Sequence, residues 1–94
     1  MTKSELVKRL KEKYDGLYFK DASLVVDTVL EEISSALEKG DRVELRGFGS
    51  FSIRQRKARM ARNPKTGEKV PLGSRNAIYF RAGKEVRERV NNDD

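Results

Sequence analysis

The residues of this sequence that could do chemistry are cationic, and they are concentrated in one segment. Residues 46–65 contain Lys and Arg but no Asp or Glu. Because the whole chain carries a net charge of only +6, the residues outside this segment are together slightly acidic. Most of the cations are arginines, whose planar guanidinium groups match phosphate well. The cations are Arg46, Arg54, Arg56, Lys57, Arg59, Arg62 and Lys65. A positive electrostatic field that is confined to one segment in this way predicts a binding site for a polyanion.

Two other interpretations of the basic segment are open. A run of charge is often only a solvated loop that keeps a protein soluble. A membrane surface also attracts basic helices, but such helices carry aromatic or leucine anchors. Between residues 54 and 62 the apolar residues are Ala58, Met60 and Ala61. The composition therefore disfavours a membrane partner.

Residues for catalysis and for metal binding are scarce. The sequence has no Cys and no His, which removes disulfides, thiolate zinc sites and the commonest general base. The dense acid pairs are Glu31 with Glu32 and Glu85 with Glu88, and both are expected on solvated helix faces. We therefore expect a binding protein that is not an enzyme and needs no cofactor.

Length and hydropathy indicate one small domain. The 94 residues are 36% hydrophobic and 38% charged, so the core must be small, and domains of this size often gain stability by oligomerising. No apolar run approaches the roughly 18 residues of a membrane span. The first ten residues also lack the apolar stretch of a signal peptide. We expect a cytoplasmic protein.

Two helices are predicted within residues 1–40. The first begins at a capping box formed by Thr2 and Glu5 and ends near residue 14, before an Asp-Gly pair. The second begins between residues 18 and 21 and ends at Lys39, with Gly40 in a left-handed conformation. Leu24 and Leu30 lie off its main apolar stripe, so this helix is expected to contact a partner chain unless the same subunit's sheet covers both residues.

After Gly40 the apolar period changes to two, which predicts strands. Val43 and Leu45 are expected to face inward on a strand spanning residues 42–46. Gly47 predicts a tight turn, and Gly49 a bulge or a close backbone approach. Residues 51–53 continue the alternation on a returning strand.

Residues 54–75 hold no aromatic residue and few apolar ones, so they cannot build a core. The turn signal at residues 63–67 predicts the tip of a basic hairpin arm. Pro71 is compatible with this arm because both strands of a two-stranded ladder are edges. Since the arm buries little, we expect it to be mobile until it meets its partner.

The remaining residues are expected to return to the body of the domain. Residues 77–80 predict a strand, and a short helix follows from about Gly83 to Asn91 with Val86 and Val90 on its inner side. Glu85 precedes Arg89 by four residues, which supports this helix modestly. The tail, residues 91–94, is expected to fray. We thus predict an α+β fold in one domain, 1–94, comprising a helical dimerisation part (1–40), a sheet (41–81) with its arm (54–75), and a C-terminal helix (82–91).

Two motifs and the order of the elements resemble a known family. The sequence RGFGSF at residues 46–51, followed by RNPKTG at residues 62–67, resembles the bacterial HU and integration host factor family of histone-like DNA-bending proteins. The resemblance covers residues 1–91. Glu44 and Arg46, which flank Leu45, are similar to the β subunit of integration host factor, as are the first six residues and residues 83–87.

The resemblance implies an intertwined dimer with a helical base, a saddle of strands, and two arms that embrace double-stranded DNA from the minor groove. Pro64 at the arm tip would intercalate between base pairs and bend the duplex sharply. Arg46 would reach into the minor groove, steadied by Glu44. The residues expected to contact DNA are Lys3, Ser4, Glu44, Arg46, Arg54, Arg56, Lys57, Arg59, Arg62, Asn63, Pro64, Lys65, Lys69 and Lys84.

The resemblance leaves the partner subunit open. A β-type chain would form a heterodimer with an integration host factor α-type subunit, whereas an HU-like chain would form a homodimer that compacts DNA with little sequence preference. Either protein would be nucleoid-associated and would support recombination, replication, transcription or translation regulation. RNA binding is disfavoured because no aromatic stacking motif is present, and a purely structural module would leave the basic segment unexplained.

Overall fold

A computed structural model of the protein describes residues 1–92. Helices and antiparallel strands occupy separate parts of the chain, which confirms the predicted α+β class. The elements are α1 (Lys3–Lys13), α2 (Phe19–Glu38), β1 (Val43–Leu45), β2 (Gly49–Arg56), β3 (Arg59–Arg62), β4 (Lys69–Leu72), β5 (Arg75–Ala82) and α3 (Lys84–Val90).

The two N-terminal helices begin and end where local sequence signals predict. The Thr2 hydroxyl accepts a hydrogen bond from the Glu5 amide at 3.2 Å, which caps the first turn of α1. α2 ends at Glu38, and Gly40 follows with a φ of +84°, as predicted for a helix C-terminus. The backbone amide of Gly40 donates to the carbonyl oxygen of Leu37 at 2.9 Å.

The core of the single chain is small and lies mainly between α1 and α2. Among the described residues, the buried apolar side chains are Val7, Ala22, Val26 and Leu37. Leu10 and Leu17 pack at the edge of this cluster. So few buried side chains supply little hydrophobic stabilisation, which scales with the apolar area removed from water.

β1, β2 and β5 form an antiparallel sheet with β2 in the centre. The turn between β1 and β2 is closed by a hydrogen bond from the Phe48 amide to the Leu45 carbonyl oxygen at 2.9 Å. Gly47 has a φ of +86° in this turn, which confirms the predicted tight turn. β1 is shorter than the predicted strand 42–46 because the turn begins directly after Leu45.

Gly49 lies where two parts of the backbone approach closely. A methyl group on its Cα would lie 2.6 Å from the carbonyl oxygen of Arg81 and 2.7 Å from the ring of Phe80. Both distances are shorter than any normal carbon contact. The predicted close approach at Gly49 is therefore confirmed.

The two faces of this sheet differ in chemistry because successive side chains alternate between them. The apolar face carries the cross-strand pairs Phe51–Phe80 and Ile53–Ile78. The rings of Phe51 and Phe80 have centroids 4.7 Å apart, and Phe48 lies 5.5 Å from Phe80. The basic face carries the pairs Ser50–Arg81, Ser52–Tyr79, Arg54–Ala77 and Arg56–Arg75.

The predicted arm, residues 54–75, is present but is not one continuous ladder. Its base belongs to the β2–β5 pairing, and its outer part is the separate β3–β4 ladder, in which Pro71 lies opposite Met60. Strand structure breaks at residues 57–58 and 73–74, and Gly73 disfavours a strand there. The radius of gyration is 18.7 Å, against about 12 Å for a compact chain of this length. The arm therefore stands away from the body.

Many large apolar side chains remain exposed in the single chain. On α2 they include Leu24, which is 64% exposed, and Leu30, so the sheet of the same chain does not cover either residue. On the apolar face, Ile78 is 64% exposed and Phe80 is 40% exposed. Leu45, predicted to face inward, also exceeds one-third exposure. The apolar surface is thus shared between α2 and the sheet.

The C-terminal helix departs from prediction in two respects. Val86 is partly buried, but Val90 is 76% exposed, so its placement on the inner side is wrong for the single chain. The i,i+4 ion pair joins Lys84 to Glu88 at 3.9 Å, whereas the predicted pair was Glu85 with Arg89. The start of the helix is fixed by a hydrogen bond from the Gly83 amide to the Phe48 carbonyl oxygen at 2.8 Å. The end of the predicted frayed tail, residues 93–94, lies outside the described residues.

The close approach at Gly49 predicts a local packing defect. We expect Gly49→Ala to lower the free energy of unfolding by about 1–3 kcal/mol, because the Arg81 carbonyl cannot move without shifting the β2–β5 pairing. Urea unfolding followed by circular dichroism measures the effect. Gly73→Ala is the matched control, because nothing lies within 4 Å of its added methyl group. Its effect should stay within about 1 kcal/mol, and equal losses in the two variants would contradict the prediction.

Candidate nucleic-acid interface

The basic face of the sheet concentrates arginines without acidic partners. Arg54, Arg56, Arg75 and Arg81 all project from it because they alternate along β2 and β5. Arg56 lies directly opposite Arg75, an arrangement that opposes strand pairing. Within residues 1–92 the ion pairs are Lys3–Asp27 and Lys84–Glu88, so none of the four arginines has a carboxylate within 4.0 Å. The face therefore offers guanidinium donors to an external anion.

One of these arginines has an aromatic partner. The guanidinium carbon of Arg54 lies 3.6 Å from the centroid of the Tyr79 ring, over its face. An arginine in this position is attracted by the negative face of the ring. The contact restrains Arg54 at the point where β2 continues into the arm.

The outer part of the arm carries a second group of exposed cations. Arg62 lies directly opposite Lys69 in the β3–β4 ladder, which is again a pair of like charges. Arg59 begins β3, and Lys57 lies in the break between β2 and β3. The arm thus presents positive charge from its base to its tip.

The tip of the arm is a tight turn whose hydrogen bonds start at Asn63. The Asn63 side-chain oxygen accepts from the Lys65 amide at 2.9 Å, and its carbonyl oxygen accepts from the Gly67 amide at 2.7 Å. The Asn63 amide donates to the Glu68 carbonyl oxygen at 2.8 Å. Pro64 lies inside this turn and is exposed. The predicted tip at residues 63–67 is confirmed, with the proline ring on its surface.

A third group of cations surrounds a concavity between the β1–β2 turn and α3. Glu44, Arg46 and Lys84 line it together, so the fold brings these three predicted residues to one place. Glu44 and Arg46 do not form an ion pair within 4.0 Å in this chain. The concavity is also lined by Arg42, Arg81 and Arg87.

Lys3 and Ser4 lie elsewhere, at the first turn of α1. Lys3 donates to Oδ1 of Asp27 on α2 at 2.8 Å, and both side chains are about half exposed. Ser4 Oγ lies 3.0 Å from the Thr2 hydroxyl. Any anion that binds Lys3 must therefore compete with a carboxylate of the same chain.

Comparison with known proteins identifies the family. The model of the family described as "Bacterial DNA-binding protein" matches residues 1–91. The chain belongs to this family.

Solved structures of similar proteins agree with that assignment. An Anabaena HU–DNA cocrystal structure matches with a TM-score of 0.88 and 45% identity, over 99% of this chain and 100% of that chain. HU from Thermotoga maritima matches with a TM-score of 0.66 and 33% identity, over 97% and 100%. A mutant of transcription factor 1 matches with a TM-score of 0.63 and 26% identity, over 99% and 93%.

The fold of this bacterial DNA-binding family member adds cations to the interface that were not predicted from the sequence. Arg75 and Arg81 join the basic face through their register with β2, and Arg42 and Arg87 join the concavity. Residues 75–81 alternate Arg, Ala, Tyr and Arg on one face, a period-two signal that could have identified the first two. Arg42 and Arg87 depend on the packing of α3 against the β1–β2 turn, which has no local sequence signal.

Metal sites and membrane spans are two other features that a chain of this size could carry. Within residues 1–92, no group of three or more acidic side chains is arranged to hold a metal ion. Over the same residues, no helix combines the length and apolar character that a bilayer crossing requires.

Proposed function

We propose that the protein is an architectural DNA-binding protein that binds duplex DNA along the minor groove and bends it sharply. The observation that carries this proposal is the arm, a two-stranded cationic hairpin with an exposed proline at its tip. Membership of a DNA-binding family supports it, as does the similarity to an HU protein that was crystallised with DNA.

Pro64 is suited to act as a wedge between base pairs. It is apolar, its ring is rigid, and it has no amide hydrogen that would be left without a partner inside a base stack. The hydrogen bonds of Asn63 hold the turn around it. Unstacking one base step costs a few kcal/mol. The bend offsets this cost because it brings flanking DNA against more of the protein.

Phosphates would neutralise the like charges that face one another on the protein. The pairs Arg56–Arg75 and Arg62–Lys69 each place two cations on one rung of a ladder. Phosphate binding would release counterions from the DNA and make the affinity depend on salt. On the flanks, Arg46 and Lys84 would contact DNA from the concavity, and Lys3 and Ser4 from α1.

The exposed apolar surface supports an intertwined dimer. Contiguous apolar patches on single chains usually mark interaction sites. Here α2 contributes Leu24, Val25, Val29 and Leu30, β5 contributes Ile78 and Phe80, and the β1–β2 turn contributes Phe48. A second subunit would cover these side chains and would set two arms on one duplex.

Two assignments of the second subunit follow from different observations. Glu44 and Arg46 beside the concavity favour a chain like the integration host factor β subunit, which would pair with an α-type partner and select DNA sites through groove width and deformability. The 45% identity to Anabaena HU favours an HU-like homodimer with little sequence preference. In either case the protein would act in the cytoplasm on the nucleoid, in recombination, replication, gene regulation or compaction.

The wedge can be tested by its effect on DNA shape. We expect Pro64→Ala to reduce the bend angle, because alanine cannot fill the opened base step as a rigid ring does. Energy transfer between dyes at the two ends of a bound duplex measures the angle. Pro71→Ala is the matched control, since it changes a proline in β4, away from the tip. An unchanged angle in Pro64→Ala would remove the wedge.

The ion pair of Lys3 with Asp27 predicts that removing an acidic residue strengthens DNA binding. Asp27→Asn should strengthen DNA binding by about two- to fivefold, because Lys3 no longer exchanges a carboxylate for a phosphate. Asp21→Asn makes the same change of charge on α2 without altering the Lys3 pair, and should have a smaller effect. Fluorescence anisotropy titration compares the two variants, and equal gains would show that only net charge matters.

The second subunit can be identified by mass. Native mass spectrometry of the purified protein on a duplex, alone and with an integration host factor α-type subunit, distinguishes the two assignments. A β-type chain should form a heterodimer and gain affinity for a defined site when the partner is added. An HU-like chain should bind as a homodimer with unchanged affinity. A monomeric complex in both mixtures would contradict the dimer.

A further inference from the structure

The contact between Arg54 and Tyr79 is set by strand register. Ser52 lies opposite Tyr79 and Arg54 lies opposite Ala77, so Arg54 and Tyr79 are diagonal neighbours on the basic face. The separation of 3.6 Å between the guanidinium carbon and the ring centroid is van der Waals contact. At this separation the planar cation covers the face of the ring, and both ring electrostatics and dispersion hold it there.

The cationic neighbours of Arg54 also favour its position over the Tyr79 ring. Arg56 is the next residue of β2 on the same face, and Arg75 lies opposite Arg56. These two guanidinium groups lie on the side of Arg54 away from Tyr79, so their repulsion acts in the same direction as the attraction of the ring. Arginine also has many rotamers, and fixing them upon binding costs entropy. The contact with the Tyr79 ring reduces this entropic cost because it restrains the side chain before any ligand arrives.

An aromatic partner of an arginine differs from an acidic one because it leaves the N–H donors of the guanidinium group free. A carboxylate would use the same N–H donors that a phosphate needs, as Asp27 does with Lys3. A ring uses the face of the guanidinium and leaves its in-plane N–H groups available. Tyr79 is 39% exposed, so its ring lies at the surface beside the groups that would meet an anion. Arg54 is thus ordered without being neutralised.

We propose that Tyr79 is a positioning residue for DNA binding, whose ring presets the Arg54 guanidinium group on the basic face for a phosphate of the duplex. This inference rests on the proposed function for the identity of the ligand. Tyr79 itself needs no contact with DNA, and its phenolic hydroxyl needs no part in binding. Arg54, at the base of the arm, is therefore ordered before binding.

A double-mutant cycle tests this role. Tyr79→Leu removes the ring and keeps an apolar side chain, and should weaken binding to a fluorescein-labelled duplex by about three- to fivefold. Tyr79→Phe should bind like the wild type because the ring remains. Arg54→Ala should bind more weakly than Tyr79→Leu, and adding Tyr79→Leu to Arg54→Ala should cause no further loss. A further loss in that background would show that Tyr79 acts independently of Arg54 and would overturn the inference.

The salt dependence of DNA affinity distinguishes the loss of Arg54 positioning from the loss of the Arg54 charge. Arg54→Ala should reduce the slope of log affinity against log salt by about 0.9, the value for one phosphate contact. Tyr79→Leu should leave the slope unchanged, because the cation is still present. Arg54→Lys keeps the charge but loses the planar group that stacks, so it should resemble Tyr79→Leu. A reduced slope in Tyr79→Leu would contradict the positioning role.

A measurement without DNA distinguishes a failed inference from a failed proposed function. In the free protein, the ring current of Tyr79 should shift the Arg54 side-chain NMR signals, and Tyr79→Leu should abolish that shift. Tyr14→Leu makes the same change on the helical part and should leave the Arg54 signals and DNA affinity unchanged. If the wild type does not bind duplex DNA at low salt, the proposed function fails and the DNA role of Tyr79 with it. If the wild type binds and Tyr79→Leu binds equally well, the positioning role alone fails.

Discussion

Like charges face each other across the strand pairs at both ends of the arm. Arg56 lies opposite Arg75 at the base, and Arg62 lies opposite Lys69 near the tip. Each pair opposes the ladder that contains it, and the arm has no core to offset this cost. An anion between two such cations would change repulsion into attraction and would favour the paired hairpin. Strand pairing in the arm and the binding of a polyanion are therefore linked. The rest of the chain holds the arm in place.

The apolar residues in the body of the protein fall into two sets, one buried within the chain and one exposed on its surface. A small set around Val7, Ala22 and Val26 holds α1 against α2. A larger set on α2 and on the apolar face stays exposed in the single chain. In the proposed dimer the second set would build the common core, so folding and association would be one process. The arms would then project from a base whose rigidity one chain cannot provide alone.

Local signals predicted most of the fold because each depends on a few adjacent residues. The Thr2 cap, the left-handed Gly40, the turn at Gly47 and the arm tip at residues 63–67 are such cases. The interruption of the arm ladder was missed because strand pairing depends on both strands at once. Val90 was misplaced because helical periodicity in a seven-residue helix says little about which side is covered.

The candidate site was predicted in part for the same reason. The cations of residues 46–65 form one run in the sequence and were named from it, whereas placing Arg75 and Arg81 on the basic face needs the β2–β5 register in addition to their alternation along β5. The ion pair of Lys3 joins residues that are 24 positions apart and depends on how α1 crosses α2. The ring beneath Arg54 likewise follows from register. Neither the ion pair nor the ring contact could be predicted from neighbouring residues, because both depend on long-range geometry.

The proline within β4 bears on how the unbound arm avoids self-association. Two-stranded ladders expose hydrogen-bonding edges, and such edges recruit strands from other molecules into growing sheets. Pro71 provides no backbone donor in its strand, and the rung of Arg62 and Lys69, two rungs closer to the tip, repels a similar arm that approaches edge to edge. Unbound copies at high concentration would therefore stay separate instead of polymerising through their hairpins.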